Sequence, residues 1–284
     1  MYPNTNVLYH YLFTLPSNQT STRRYLIFSL IGSIIISTIV ITFLSSEMRL
    51  FANLPLTIAA GIALYLCLLI MYKLKLAGRY DRMHTFLTLG IGMWFVAEII
   101  YTYYQLGLSI ETPFPSLADV FYLSGYIFFG FYVYSILKLL RKTIERDLII
   151  LVSIAAALSI TYMLNLSFGI AQFLTAPDEL IKTILSIGYF VLDGILFVPA
   201  TLVLWNTRKG ELAYTHWTLI SMFIIFNAIG DIGFGYGAII GTVGEEEWIW
   251  DIFFNAGYLA LVCALFWQNK YLYFTSSITI PGDK

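Results

Sequence analysis

The chain has 284 residues, of which 59% are hydrophobic, 17% aromatic and only 12% charged, with a mean hydropathy of +0.78. About a quarter of a soluble domain is charged, so a water-soluble globule is excluded, and so are a disordered chain and a coiled coil. Sixteen basic residues against 17 acidic ones give a net charge of -1, which leaves no basic surface for nucleic acid.

A bilayer core about 30 Å thick is crossed by about 20 apolar residues in a helix. Runs of that kind predict eight spans, at roughly 25 to 44, 54 to 72, 83 to 108, 117 to 137, 148 to 168, 181 to 205, 214 to 242 and 248 to 268. The reading is an all-α, polytopic membrane protein. Before the first span, residues 1–24 form a lead without a basic n-region or a small-residue cleavage site, and Val7 to Phe13 are aromatic enough to lie in the interface. Residues 25–142 form a first four-helix half, 143–270 a second, and 271–284 a short tail.

Basic loops are retained in the cytoplasm during insertion. Arg23 and Arg24 precede the first span, and Lys73, Lys75, Arg79 and Arg82 follow the second. Lys138, Arg141, Lys142 and Arg146 follow the fourth, Arg208 and Lys209 the sixth, Lys270 and Lys284 the eighth, and only Arg49 and Lys182 fall on the other side. The expected arrangement is a multi-pass protein of the cell membrane with both termini cytoplasmic. Glu47, Glu111, Asp178, Glu179 and Glu245 to Glu247 then lie outside.

The two halves share a pattern at an offset of 132 or 133. Ala118-Asp-Val-Phe-Tyr-Leu-Ser-Gly-Tyr-Ile127 pairs with Trp250-Asp-Ile-Phe-Phe-Asn-Ala-Gly-Tyr-Leu259, Ala97-Glu98-Ile99 with Gly230-Asp231-Ile232, and His84 with His216. Four spans separate the copies, an even number, so the reading is a parallel internal duplication. The first, second, fifth and sixth spans show no such match.

Five acids fall within spans: Glu98, Asp119, Asp193, Asp231 and Asp251. A charge at the bilayer centre costs at least ~2.5 kcal/mol, so such acids persist only when paired, protonated, hydrated or coordinating something. At helical spacing, Asp119 shares a face with Tyr122 and Tyr126, Asp251 with Asn255 and Tyr258, Glu98 with Trp94 and Tyr101, and Asp231 with Asn227. One reading brings these stripes of the third, fourth, seventh and eighth spans around an outward-facing cavity for a cation, a proton or a small polar ligand. The other gives each acid a structural role. Ser116 and Asp119 have the form of a capping box, and Glu98 and Asp231 can hydrogen-bond between helices.

Cys67 and Cys263 lie alone in apolar runs, so no disulfide framework or CxxC motif exists. His84 and His216 stand at the opposite ends of their spans from the acids and read as interfacial. No HxxxH, HExxH or GxSxG occurs, so no catalytic residue and no cofactor emerges, and a metal is left open. Gly90, Gly92, Gly230, Gly233, Gly235 and Gly237 suggest close helix approach, and Tyr101, Tyr103 and Tyr104 an aromatic belt.

The motif Pro113-Phe-Pro-Ser-Leu-Ala-Asp-Val-Phe-Tyr-Leu-Ser-Gly-Tyr126 behind Glu98, with Gly188-Tyr-Phe-Val-Leu-Asp193 and Gly230 to Gly257, resembles the multi-helix sensor regions in front of GGDEF diguanylate cyclases and histidine kinases in bacteria and archaea. The resemblance implies a sensory role, with Glu98, Asp119, Asp193 and Asp231 at typical polar positions. Those regions carry an output domain and this chain has none, so the expectation is a free-standing sensor that signals through a membrane or cytoplasmic partner. Asn227-Ala-Ile-Gly-Asp231 with Gly257-Tyr258 is also similar to the lysoplasmalogenase-like eight-helix proteins, which implies lipid vinyl ether hydrolysis by intramembrane acids. A third possibility is a structural subunit of a larger membrane complex.

Overall fold

The computed structural model describes residues 19–43, 54–74, 79–110, 113–140, 144–171, 177–207, 215–240 and 247–276. They form eight α-helices and, among the described residues, no strand. The helices are α1 (Gln19–Phe43), α2 (Leu54–Leu74), α3 (Arg79–Thr102), α4 (Leu117–Leu140), α5 (Arg146–Ala171), α6 (Pro177–Thr207), α7 (Thr215–Ile240) and α8 (Glu247–Ser276). Each expected apolar run lies mostly or wholly within one helix. The helices overrun the apolar runs at several ends because neighbouring polar residues can continue a helix through the interface. A π-helical turn at Tyr103–Gly107 ends α3.

Seven of these helices, α2 to α8, are long and apolar enough to cross a membrane; α1, with Arg23 and Arg24 near its start, is not among them. The outward faces are apolar, with Leu151, Leu158 and Tyr162 of α5 and Phe28 and Ile36 of α1 all exposed. An apolar surface of that extent is stable only against lipid or protein. The chain is a multi-pass helical membrane protein. Most of the residues expected to lie outside, together with Val7 to Phe13, fall outside the described residues.

Neighbours along the chain pack as pairs: α2 with α3, α3 with α4, α5 with α6, α6 with α7, and α7 with α8. Two longer-range contacts close the bundle, α2 against α8 and α4 against α6, while α1 rests on α8. The centre is aromatic. The Trp94 ring meets Tyr126 at 5.6 Å, Phe129 at 4.9 Å, Phe223 at 5.6 Å and Tyr258 at 6.5 Å between centroids. Its indole N–H donates to the Tyr122 carbonyl at 3.0 Å, which satisfies the polar end of an otherwise apolar side chain.

The glycines give this centre its shape. A Cβ on Gly125 would stand 2.2 Å from Trp94, one on Gly233 2.1 Å from Trp250, and one on Gly90 2.8 Å from Phe129. The close approach expected at Gly90 and Gly233 is therefore of rings onto bare backbone, and Gly125, not among the expected positions, shows the same. Of the two histidines expected at the interface, His216 is half-buried beside Trp217, with ring centroids 5.0 Å apart. His84 is only 2% exposed and packs inside the bundle, where Thr88 donates to its backbone carbonyl at 2.8 Å. Below the cavity described next, Lys73 at the end of α2 donates to Asn269 of α8.

Candidate functional site

At the end of the bundle where α3 and α7 finish and α4 and α8 begin lies a cavity of about 160 Å³. Its wall includes Glu98, Asp119, Asp231 and Asp251, together with Tyr122, Tyr126, Asn227 and Tyr258. With Trp94 and Tyr101 also in the wall, ten of the twelve residues of the acid stripes singled out in the sequence meet on one surface. Asp193 and Asn255 do not line it. Asp193 lies behind Tyr126, and the Asn255 amide turns back along its own helix to donate to the Asp251 carbonyl at 2.9 Å.

Asp119 serves two purposes. Its Oδ2 accepts from the Ser116 backbone N–H at 2.6 Å, while the Ser116 hydroxyl accepts from the Ala118 N–H at 3.2 Å. That is the reciprocal capping box expected from the sequence, and it answers amides at the start of α4. The other oxygen, Oδ1, accepts from the Tyr189 hydroxyl of α6 at 2.8 Å. Asp119→Ala removes both bonds. A lost helix cap costs about 1 kcal/mol, and thermal unfolding in detergent should show a loss somewhat above that, with Asp119→Asn closer to wild type.

Two tyrosines make three further contacts between helices at the cavity. Tyr258 of α8 donates its hydroxyl to Glu98 Oε1 of α3 at 2.9 Å. Tyr126 of α4 places its hydroxyl oxygen 2.6 Å from Asp193 Oδ1 of α6 and 2.9 Å from Asp231 Oδ2 of α7. A phenol has one hydrogen, so Tyr126 donates to one carboxylate at a time. The second contact is a hydrogen bond only when that carboxyl carries a proton and donates to the phenol oxygen. The geometry therefore matches a trio in which two carboxyls and a phenol share their protons along a line from α6 through α4 to α7. The remaining Asp193 oxygen, Oδ2, is buried without a hydrogen-bond partner.

The sequence reading assigned the cavity to the third, fourth, seventh and eighth helices. The sixth also builds it, through Ser186, Tyr189 and Phe190, and Leu56 adds a contact from the second. Tyr189 precedes Asp193 by one helical turn, so one face of α6 carries both, and that spacing was the available signal. Tyr101 lines the cavity as well, whereas Tyr103 in the same expected belt is exposed.

Among the described residues, no Lys, Arg or His lines the wall. Among the described residues there is also no group of three or more His, Cys, Asp or Glu arranged to hold a metal ion. Glu98 and Asp231 each meet a phenol, and Asp119 meets a phenol and a backbone amide. No family model matches this chain, and neither a curated protein nor a solved structure matches it.

Proposed function

We propose that the protein is a sensor-like membrane module that binds a small cationic or polar ligand in an outward-facing cavity and acts through a membrane or cytoplasmic partner. The observation that carries this reading is the cavity with four acids in its wall and, among the described residues, no basic side chain lining it. Buried carboxylates are tolerated in a membrane when something answers their charge, and a ligand or bound protons would do so here beside the phenols.

The same reading takes eight spans, both termini cytoplasmic and a parallel duplication. Its support is that Tyr126 and Tyr258 stand at equivalent positions of the two sequence copies, as do Glu98 and Asp231, and each tyrosine bonds the acid of the other copy. The glycine contacts repeat likewise: Gly125 faces Trp94 and the Gly90 carbonyl, and Gly257 faces Asn227 and the Phe223 carbonyl. Helix adjacency agrees for α2–α4 against α6–α8, with α2 on α8 matched by α6 on α4. The first and fifth helices depart from it, since α1 packs on α8 but α5 on α6. That limits the equivalence to three helices per half.

Purified protein melted against a panel of small cations and neutral polar solutes tests the reading. A ligand at a hundred times its dissociation constant stabilises by about 2.7 kcal/mol, so a rise in melting temperature is expected with at least one class. It should be lost in Glu98→Gln and Asp231→Asn. Purification from native membranes in mild detergent should bring down a stoichiometric partner. A panel without effect, with both variants behaving as wild type, would remove the ligand site.

A further inference from the structure

We infer that the ligand is a small organic ammonium ion, a quaternary or fully alkylated amine, held between aromatic rings and carboxylates. The inference rests on the reading of the cavity as a ligand site and names the chemistry of what fills it. Beside its acids the wall is chiefly ring surface, from Trp94, Tyr101, Phe114, Phe190, Phe234 and Phe254. Aromatic rings attract a cation near their faces, by about 2 kcal/mol or more once both are desolvated. A compact, strongly hydrated metal ion would call instead for oxygen ligands gathered to one point, and the acids among the described residues form no group of three or more placed to hold one.

Size and charge agree with this choice. A cavity of about 150 Å³ in a protein core holds a benzene ring, so the 160 Å³ here suits one ligand of similar bulk. Trimethylammonium groups are of that bulk and spread their charge over methyl surfaces that need no hydrogen-bond acceptors. Such a cation can meet Glu98 and Asp231 through space while their oxygens keep the bonds from Tyr258 and Tyr126.

The test is calorimetric titration of the purified full chain with tetramethylammonium and choline, beside sodium and 3,3-dimethylbutan-1-ol, the neutral carbon isostere of choline. Expected is saturable binding of the ammonium probes with an affinity at least about tenfold above the isostere, since a charge contribution of 1.4 kcal/mol is tenfold. Trp94 fluorescence, identified by its loss in Trp94→Phe, should change with the same midpoint. The comparison of probes uses wild-type protein, so it does not depend on how any acid variant folds. Equal binding of choline and the isostere, or binding of sodium alone, would overturn the ammonium assignment and leave a ligand site in place. Failure of all four probes overturns the ammonium assignment, and the panel of solutes then decides on the site itself.

Discussion

Tyr126→Phe is expected to destabilise the protein by about 3 kcal/mol. The variant keeps the ring among Trp94 and Tyr189 and removes only the hydroxyl that lies between Asp193 and Asp231. Hydrogen bonds to charged groups contribute about 1.5–3 kcal/mol each, and a buried acceptor left alone costs its full desolvation. Asp193 then has neither oxygen bonded, because Oδ2 already lacks a partner. The mechanism makes a second demand. Asp193→Leu combined with Tyr126→Phe should be more stable than Tyr126→Phe alone, since removing both members of a buried polar pair can be nearly neutral. Unfolding free energies in mixed micelles measure both, and a double variant that is simply additive would place the two residues in separate environments.

Gly125→Val is the second large effect. The first atom of any side chain there would stand 2.2 Å from Trp94 Cδ1, with the Gly90 carbonyl oxygen at 3.3 Å behind it. Trp94 is buried at 5% exposure among five rings and has no way out except toward the cavity. Overpacking of this kind costs about 1–3 kcal/mol, and the displaced indole would also occupy ligand space. Gly257→Val should act alike, because its Cβ would lie 2.5 Å from Asn227 Nδ2 and 3.3 Å from the Phe223 carbonyl. Gly188→Ala is the control. Nothing lies within 4 Å of a Cβ there, and replacing a mid-helix glycine favours the helix by up to about 1 kcal/mol. Melting temperatures together with the Trp94 emission maximum separate the three. A Gly125→Val protein with wild-type stability and emission would contradict the close approach of α3 and α4.

The helices were legible in the sequence because a membrane span is a local property, written as about 20 apolar residues between charges. The stripes of Asp119, Tyr122 and Tyr126, and of Trp94, Glu98 and Tyr101, were legible for the same reason, since helical periodicity alone decides which residues share a face. Which faces meet is a different matter. Tyr126 and Asp193 are 67 residues apart, and Tyr258 and Glu98 are 160 apart, and periodicity carries no information across such distances. The part of α6 in the cavity was therefore missed, although Tyr189 and Asp193 sit one turn apart. Asp119 had two readings, cap or cavity, and the side chain does both because a carboxylate has two oxygens to direct. Interfacial placement of His84 followed from its position near a span end, which fixes depth in the membrane but not whether lipid or protein lies beside it.

The central claim is that carboxyls from different helices close one shared pocket through tyrosine bonds. Its most direct test is a double-mutant cycle on Glu98 and Tyr258, using Glu98→Gln, Tyr258→Phe and the pair, with unfolding free energy as readout. Residues in one hydrogen-bond network show coupling of about 0.5–3 kcal/mol, and independent ones add to within about 0.5 kcal/mol. The bond of 2.9 Å between them predicts a coupling above 1 kcal/mol, in the range for a hydrogen bond to a charged acceptor. Additive losses would mean that the two side chains do not meet, and the pocket would then have no closing bond between α3 and α8.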